Sequence, residues 1–90
     1  MEKLLNEKYR ILDVFMVYAK DNRVLDTNIK ELSIDAGVSV SKTSKLVREM
    51  IKEGFLIKGK ERRVYQITKK GYKIMSTIKF AKEKLKKEGF

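Results

Sequence analysis

Residues 37–55, GVSVSKTSKLVREMIKEGF, decide how this chain is organised. The stretch lies between two glycines, opens on serines, and repeats apolar side chains every three to four residues. Ser39 can accept a hydrogen bond from the first backbone amides of a new helix, so a helix is expected from Val40 to Glu53, closed at Gly54. Phe55 can then fold back on Met50 or Ile51, the apolar contact that accompanies such a stop. On a wheel of 100° per residue, Thr43, Leu46, Val47, Met50 and Gly54 fall on one side. Ser41, Lys45, Arg48 and Lys52 fall opposite, flanked by Lys42 and Ser44. The apolar side is for packing; the basic side faces outward.

Working backward, Gly37 suits the left-handed conformation that ends a helix, because it has no side chain to clash there. The preceding helix is expected from about Ile29 to Ala36, with Asp26, Thr27 and Asn28 offering oxygens to cap it. Two helices joined by so short a glycine turn cross steeply, which makes residues 28–53 a helix-turn-helix. Further back, Leu4, Leu5, Ile11, Leu12, Phe15, Met16 and Ala19 mark an amphipathic helix, and Val24 and Leu25 can form a very short strand.

Working forward, residues 55–68 read as an antiparallel hairpin. Phe55 to Lys58 and Arg63 to Thr68 are rich in aromatic and β-branched residues, with a polar turn containing Gly59 between them. Tyr65 and Ile67 alternate inward, while Lys58, Lys60, Arg62 and Arg63 gather near the tip. A long helix follows over residues 69–88, capped by Thr68. Ile74, Ile78, Ala81 and Leu85 form a seam along it, widened by Tyr72, Met75 and Phe80. No proline, repeat or low-complexity linker divides the 90 residues, so residues 1–90 are expected to form one domain with a small core.

The net charge of +10 comes from 22 basic and 12 acidic side chains. Residues 1–38 carry net −1, residues 39–68 net +5 and residues 69–90 net +6. The excess is thus confined to the basic helix, the hairpin and the tail, the distribution expected of a surface that meets a polyanion. Nucleic acid and anionic membrane both qualify. The longest apolar run, Val14 to Ala19, is far short of the ~20 residues needed to span a bilayer. With no secretory pattern after Met1, a cytoplasmic, nucleoid-associated protein is expected.

Cys and His are absent, which removes thiol nucleophile, imidazole base and the nitrogen and sulfur ligands of zinc. Carboxylates are interspersed with lysines at helical spacings, as on a solvated surface. No enzyme activity, cofactor or metal is expected.

The segment NIKELSIDAGVSVSKTSKLVREMIKEGFLIKGKERRVYQITKKG resembles the winged helix-turn-helix of small bacterial and archaeal transcription regulators of the MarR and PadR groups. Leu32, Ser33, Ala36, Gly37, Val38 and Leu46 match the packing positions, with Ser33 where the two helices cross. Thr43 stands where an aliphatic residue is more usual, and VYQITKKG resembles the family's ending of the wing. The resemblance implies an α+β, mostly helical fold: a winged helix-turn-helix with a two-stranded wing and a long C-terminal helix. It also implies a homodimeric regulator of double-stranded DNA, its second helix in the major groove and its wing on adjacent backbone or minor groove. Ser41, Lys42, Ser44, Lys45, Arg48, Lys60, Arg62 and Arg63 are the expected DNA contacts, and Ile74, Ile78, Ala81 and Leu85 the expected dimer seam. Two other functions fit the same residues: an architectural DNA-binding protein of low specificity, and a winged-helix module that docks an acidic protein partner.

Overall fold

A computed structural model describes residues 2–19, 23–61 and 63–87, with side chains described over 7–19, 23–61 and 63–80. The order of elements is α1 (Glu2–Tyr18), β1 (Val24–Asp26), α2 (Ile29–Ala36), α3 (Val40–Lys52), β2 (Leu56–Lys58), β3 (Val64–Ile67) and α4 (Lys69–Lys87). Helices dominate. The strands form one antiparallel sheet in the order β1-β3-β2, so the hairpin gains a third strand. Leu25 lies opposite Tyr65, and Lys58 lies opposite Tyr65 from the other side.

Local chemistry explains the helix boundaries. The Asn28 side chain accepts from the Glu31 amide at 2.8 Å, and Ser39 accepts from the Lys42 amide at 3.2 Å, so both helices of the central unit are capped by short oxygen-bearing side chains. Both also end in the same way. Gly37 has φ 68° and Gly54 φ 84°, the left-handed region where a side chain would be strained. The Val38 amide donates to the Ser33 carbonyl and the Gly37 amide to Ile34; the Phe55 amide donates to Met50 and the Gly54 amide to Ile51. Each is the paired reach-back that satisfies the last carbonyls of a helix.

Fully buried core residues come from every element except β1, whose Leu25 packs against them half-buried. Ile11 and Phe15 of α1, Leu32 of α2, Leu46 and Met50 of α3, Leu56 of β2, Ile67 of β3 and Met75 of α4 are almost wholly inaccessible to water. Helix α1 lies centrally, touching α2, α3, α4 and two strands. Val14 is therefore buried beside Ile11, Leu12 and Phe15, a wider apolar face than the simple helical stripe predicts. The side chains of Leu4 and Leu5 lie outside the described residues.

Thr43 is fully buried on the packed side of α3, and its hydroxyl oxygen has no hydrogen-bond partner. Desolvating a hydroxyl without compensation is costly, so Thr43→Val is expected to stabilise the fold by about 1 kcal/mol. For a domain of this size the melting temperature should rise by roughly 4–8 °C, measurable by calorimetry.

The start of α4 is locked to the end of α3. The Thr68 hydroxyl donates to the Gly54 carbonyl at 2.6 Å and accepts from the Gly71 amide at 3.0 Å. Lys70 donates to the Glu53 carbonyl at 2.9 Å and lies over the Phe55 ring. The sequence TKKG thus closes the hairpin, starts α4 and caps α3 at once.

The buried line of α4 runs through Gly71, Met75 and, half-buried against the core, Ile78. Ile74, about 60° around the helix from that line on a 100° wheel, is 38% exposed. Tyr72 and Phe80 are also exposed. Ala81 and Leu85 lie outside the residues whose side chains are described.

Candidate nucleic-acid interface

Packing divides the surface of α3 into sectors. Thr43, Leu46, Val47 and Met50 are buried. Directly opposite, Ser41, Lys45, Arg48 and Lys52 are exposed, so one hydroxyl and three cations line the outward face. On one flank, Lys42, Glu49 and Glu53 share a line along the helix and are engaged by α1. Lys42 pairs with Glu7 at 3.3 Å, while Lys8 pairs with Glu53 at 3.0 Å and lies 3.7 Å from Glu49. On the other flank stand Val40, Ser44 and Ile51, with Val40 52% and Ile51 37% exposed.

The helix-turn-helix that presents this surface is tightly packed. Leu32, Ser33, Ala36, Val38 and Leu46 are all buried. The small Ser33 side chain turns its hydroxyl back to the Lys30 carbonyl at 2.6 Å, which keeps the polar atom satisfied in its buried position. The outward face of α3 is therefore carried on a rigid support.

The hairpin stands beside it. The β3 residues alternate as expected, with Tyr65 and Ile67 buried and Val64 and Gln66 half-buried. The Gly59 amide donates to the Val64 carbonyl at 2.7 Å, and a Cβ on Gly59 would lie 2.6 Å from a Val64 methyl, so this turn requires glycine. Lys60 is exposed at the tip; Lys58 lies 4.4 Å over the Tyr65 ring. Arg62 lies outside the described residues.

Arg63 is directed inward along the surface. Its Nε donates to Asp26 at 2.7 Å and its Nη2 to Glu31 at 2.7 Å, bonds that raise its already high pKa, Asp26 most strongly. The Thr27 amide donates to the Arg63 carbonyl at 2.9 Å. One guanidinium thus ties the foot of the hairpin to β1 and α2. As an exposed ionic cluster it contributes little to global stability, but its planar fork favours one direction of the hairpin relative to the helix-turn-helix.

Of the residues expected to make up the contact surface, Ser41, Lys45 and Arg48 share the outward face of α3 and Ser44 borders it. Lys42 is turned toward α1, and Arg63 toward Asp26 and Glu31. The spacing of α3 identifies the first group; the other two depend on partners 35 and 37 residues away in sequence, and local periodicity carries no trace of them. Among the described residues there is no group of three or more metal-ligating acidic, Cys or His side chains, and no helix is long and apolar enough to cross a membrane.

No family model matches the chain, and no curated protein matches it. Among solved structures, the fold is similar to that of a MarR family transcriptional regulator from Silicibacter pomeroyi DSS, with a TM-score of 0.75 and 24% sequence identity. The likeness covers 97% of this chain and 57% of that chain, so this chain spans a little over half its length. The central helix pair, the hairpin and both flanking helices fall within the likeness. The chain has the winged helix-turn-helix fold, with β2 and β3 as its wing and α3 as the helix the fold presents outward.

Proposed function

We propose that this chain is a DNA-binding transcription regulator that inserts α3 into a major groove and sets its wing against adjacent backbone or minor groove. The observation carrying this reading is the division of α3 into a fully packed side and an exposed side bearing Ser41, Lys45, Arg48 and Lys52. A helix held rigidly by one side, with cations on the other, can bring Lys and Arg to phosphates and base edges. The likeness to a transcriptional regulator points the same way. In this reading Ser41, Ser44, Lys45 and Arg48 meet the groove, and Lys42 contacts phosphate when it leaves Glu7. Lys60 and Arg62 position the wing. Arg63 acts by aiming the wing rather than by binding.

A homodimer is part of the proposal. Two copies joined through α4 would present two recognition helices about 34 Å apart along one face of the duplex. Ile74 supports the seam, since it is an exposed apolar side chain beside the line that packs in the monomer. Ile74→Lys is expected to shift the sedimenting species from dimer to monomer with little change in melting temperature. A dimer that survives the substitution would remove Ile74 from the interface.

A second reading, an architectural protein of low sequence preference, is favoured by the 17 lysines against five arginines. Lysine neutralises phosphates as a point charge, whereas arginine reads bases through a fork. The engagement of Arg63 reduces the arginines available still further. Repeated selection from a random-sequence duplex library distinguishes the readings: a regulator enriches a short, roughly palindromic site, whereas an architectural protein leaves the library unchanged.

A further inference from the structure

The first turn of α3 differs from the rest of its outward surface. Lys42 is the sole cation between Gly37 and Ser44, and it is drawn 3.3 Å from Glu7 on the α1 flank. The other side chains open to solvent at this end are uncharged: Ser41 on the outward face, with Val40 and the half-exposed Ser44 on the flank away from α1. Lys45, Arg48 and Lys52 begin one turn later. With Lys42 drawn to Glu7, the helix turns small uncharged side chains outward at its tip and basic ones along its shaft.

Val40 is conspicuous at that tip. It is the first residue of α3, is 52% exposed, and lies on the flank away from α1, between Ser39 and Ser41 in sequence and one turn before Ser44. The neighbouring hydroxyl side chains are short, so the backbone at this end can approach a partner closely. The backbone amides of a helix N-terminus and Lys42 can meet phosphate, but an exposed apolar side chain gains nothing there. It is suited instead to the floor of a major groove, where the one apolar feature of a base edge is the C5-methyl of thymine.

We infer that Val40 is a specificity-determining residue that packs on a thymine methyl, so the first turn of α3 selects T at a defined place in each half-site. This rests on the DNA-binding reading above and adds the class of base edge recognised. Lys45 and Arg48 supply phosphate and guanine contacts further along the groove, where charge is useful.

The test uses the full chain and the duplex it enriches from a random library. Each thymine in that duplex is replaced in turn by deoxyuridine, which removes only the methyl group, and binding is followed by fluorescence anisotropy. Wild-type protein should lose affinity about fourfold at one thymine per half-site, the worth of one buried methyl. Val40→Ser, which alters an exposed position and leaves the core intact, should bind the thymine and deoxyuridine duplexes equally while retaining its wild-type melting temperature. Tolerance of deoxyuridine everywhere by the wild type overturns the inference and leaves the DNA-binding reading standing, as does a methyl dependence that persists in Val40→Ser. An enriched site with no preferred thymine overturns it in the same way. Failure to enrich any sequence overturns both the sequence-specific reading and this inference.

Discussion

Gly71→Ala is expected to destabilise the domain by about 1 kcal/mol net, although alanine is the better helix former. Glycine inside a helix costs ~1 kcal/mol relative to alanine, so propensity alone predicts the opposite sign. Packing decides. A Cβ on Gly71 would lie 2.5 Å from the Phe55 carbonyl oxygen and 2.9 Å from an Ile67 methylene. The oxygen belongs to backbone and cannot rotate away. It also accepts the Thr68 amide at 3.0 Å, the bond that joins the end of the wing to the chain leaving α3. Relief of the clash must move α4 away from Phe55, loosening the Thr68 cap and the packing of Met75 together; overpacking of this kind costs ~1–3 kcal/mol before any propensity gain. Urea unfolding at unchanged slope measures the loss. A stabilised Gly71→Ala protein would show that α4 does not approach Phe55 so closely.

Arg48→Ala carries the second large effect. On the outward face of α3, Arg48 is the sole arginine, and its guanidinium is the group able to present two parallel donors to guanine O6 and N7. Loss of such a contact costs ~1–3 kcal/mol, a decrease in affinity of roughly fivefold to 160-fold for the selected site. Scrambled DNA should lose much less. Lys60→Ala offers the contrast, because Lys60 is exposed at the wing tip and contributes charge without base geometry. It should weaken binding to both duplexes alike and reduce the salt slope by about 0.9 for one phosphate contact. Anisotropy titrations of the two variants separate these roles. Equal losses on both duplexes from Arg48→Ala would place that residue on backbone instead.

The parts of this molecule that were legible in its sequence are those governed by neighbours within a turn or two. Asn28, Ser39, Gly37 and Gly54 each act on amides or carbonyls at most five residues away, so α2 falls at the residues read for it and α3 ends one residue early. The packed and outward faces of α3 follow from its 3.6-residue period for the same reason. Burial of Thr43 also follows from the wheel, but its lack of a partner does not, because that depends on what surrounds it in space.

Long-range relations were not legible. The pairing of β1 with β3 joins residues some forty positions apart, and three residues such as Val24 to Asp26 carry too little pattern to announce a partner. Arg63 looked like a wing-tip cation because its neighbours are basic, whereas its partners, Asp26 and Glu31, lie far upstream. Lys42 is diverted in the same way by Glu7. On α4 the apolar residues are numerous enough to define two lines about 60° apart, and only the surrounding elements select Met75 over Ile74 for the core. The glycine that ends VYQITKKG was readable as a motif but not as a contact; the Phe55 carbonyl supplies its physical reason.

Sequence-specific DNA binding through α3 is tested most directly by fluorescence anisotropy with the duplex the protein selects and a scrambled duplex of equal length, across a salt series. The predicted result is a preference of about a thousandfold for the selected duplex that persists as salt rises, since base contacts are less sensitive to counterions than phosphate contacts. Equal affinities that fall steeply and together with salt would contradict it, and would assign the basic face of α3 to phosphate neutralisation alone.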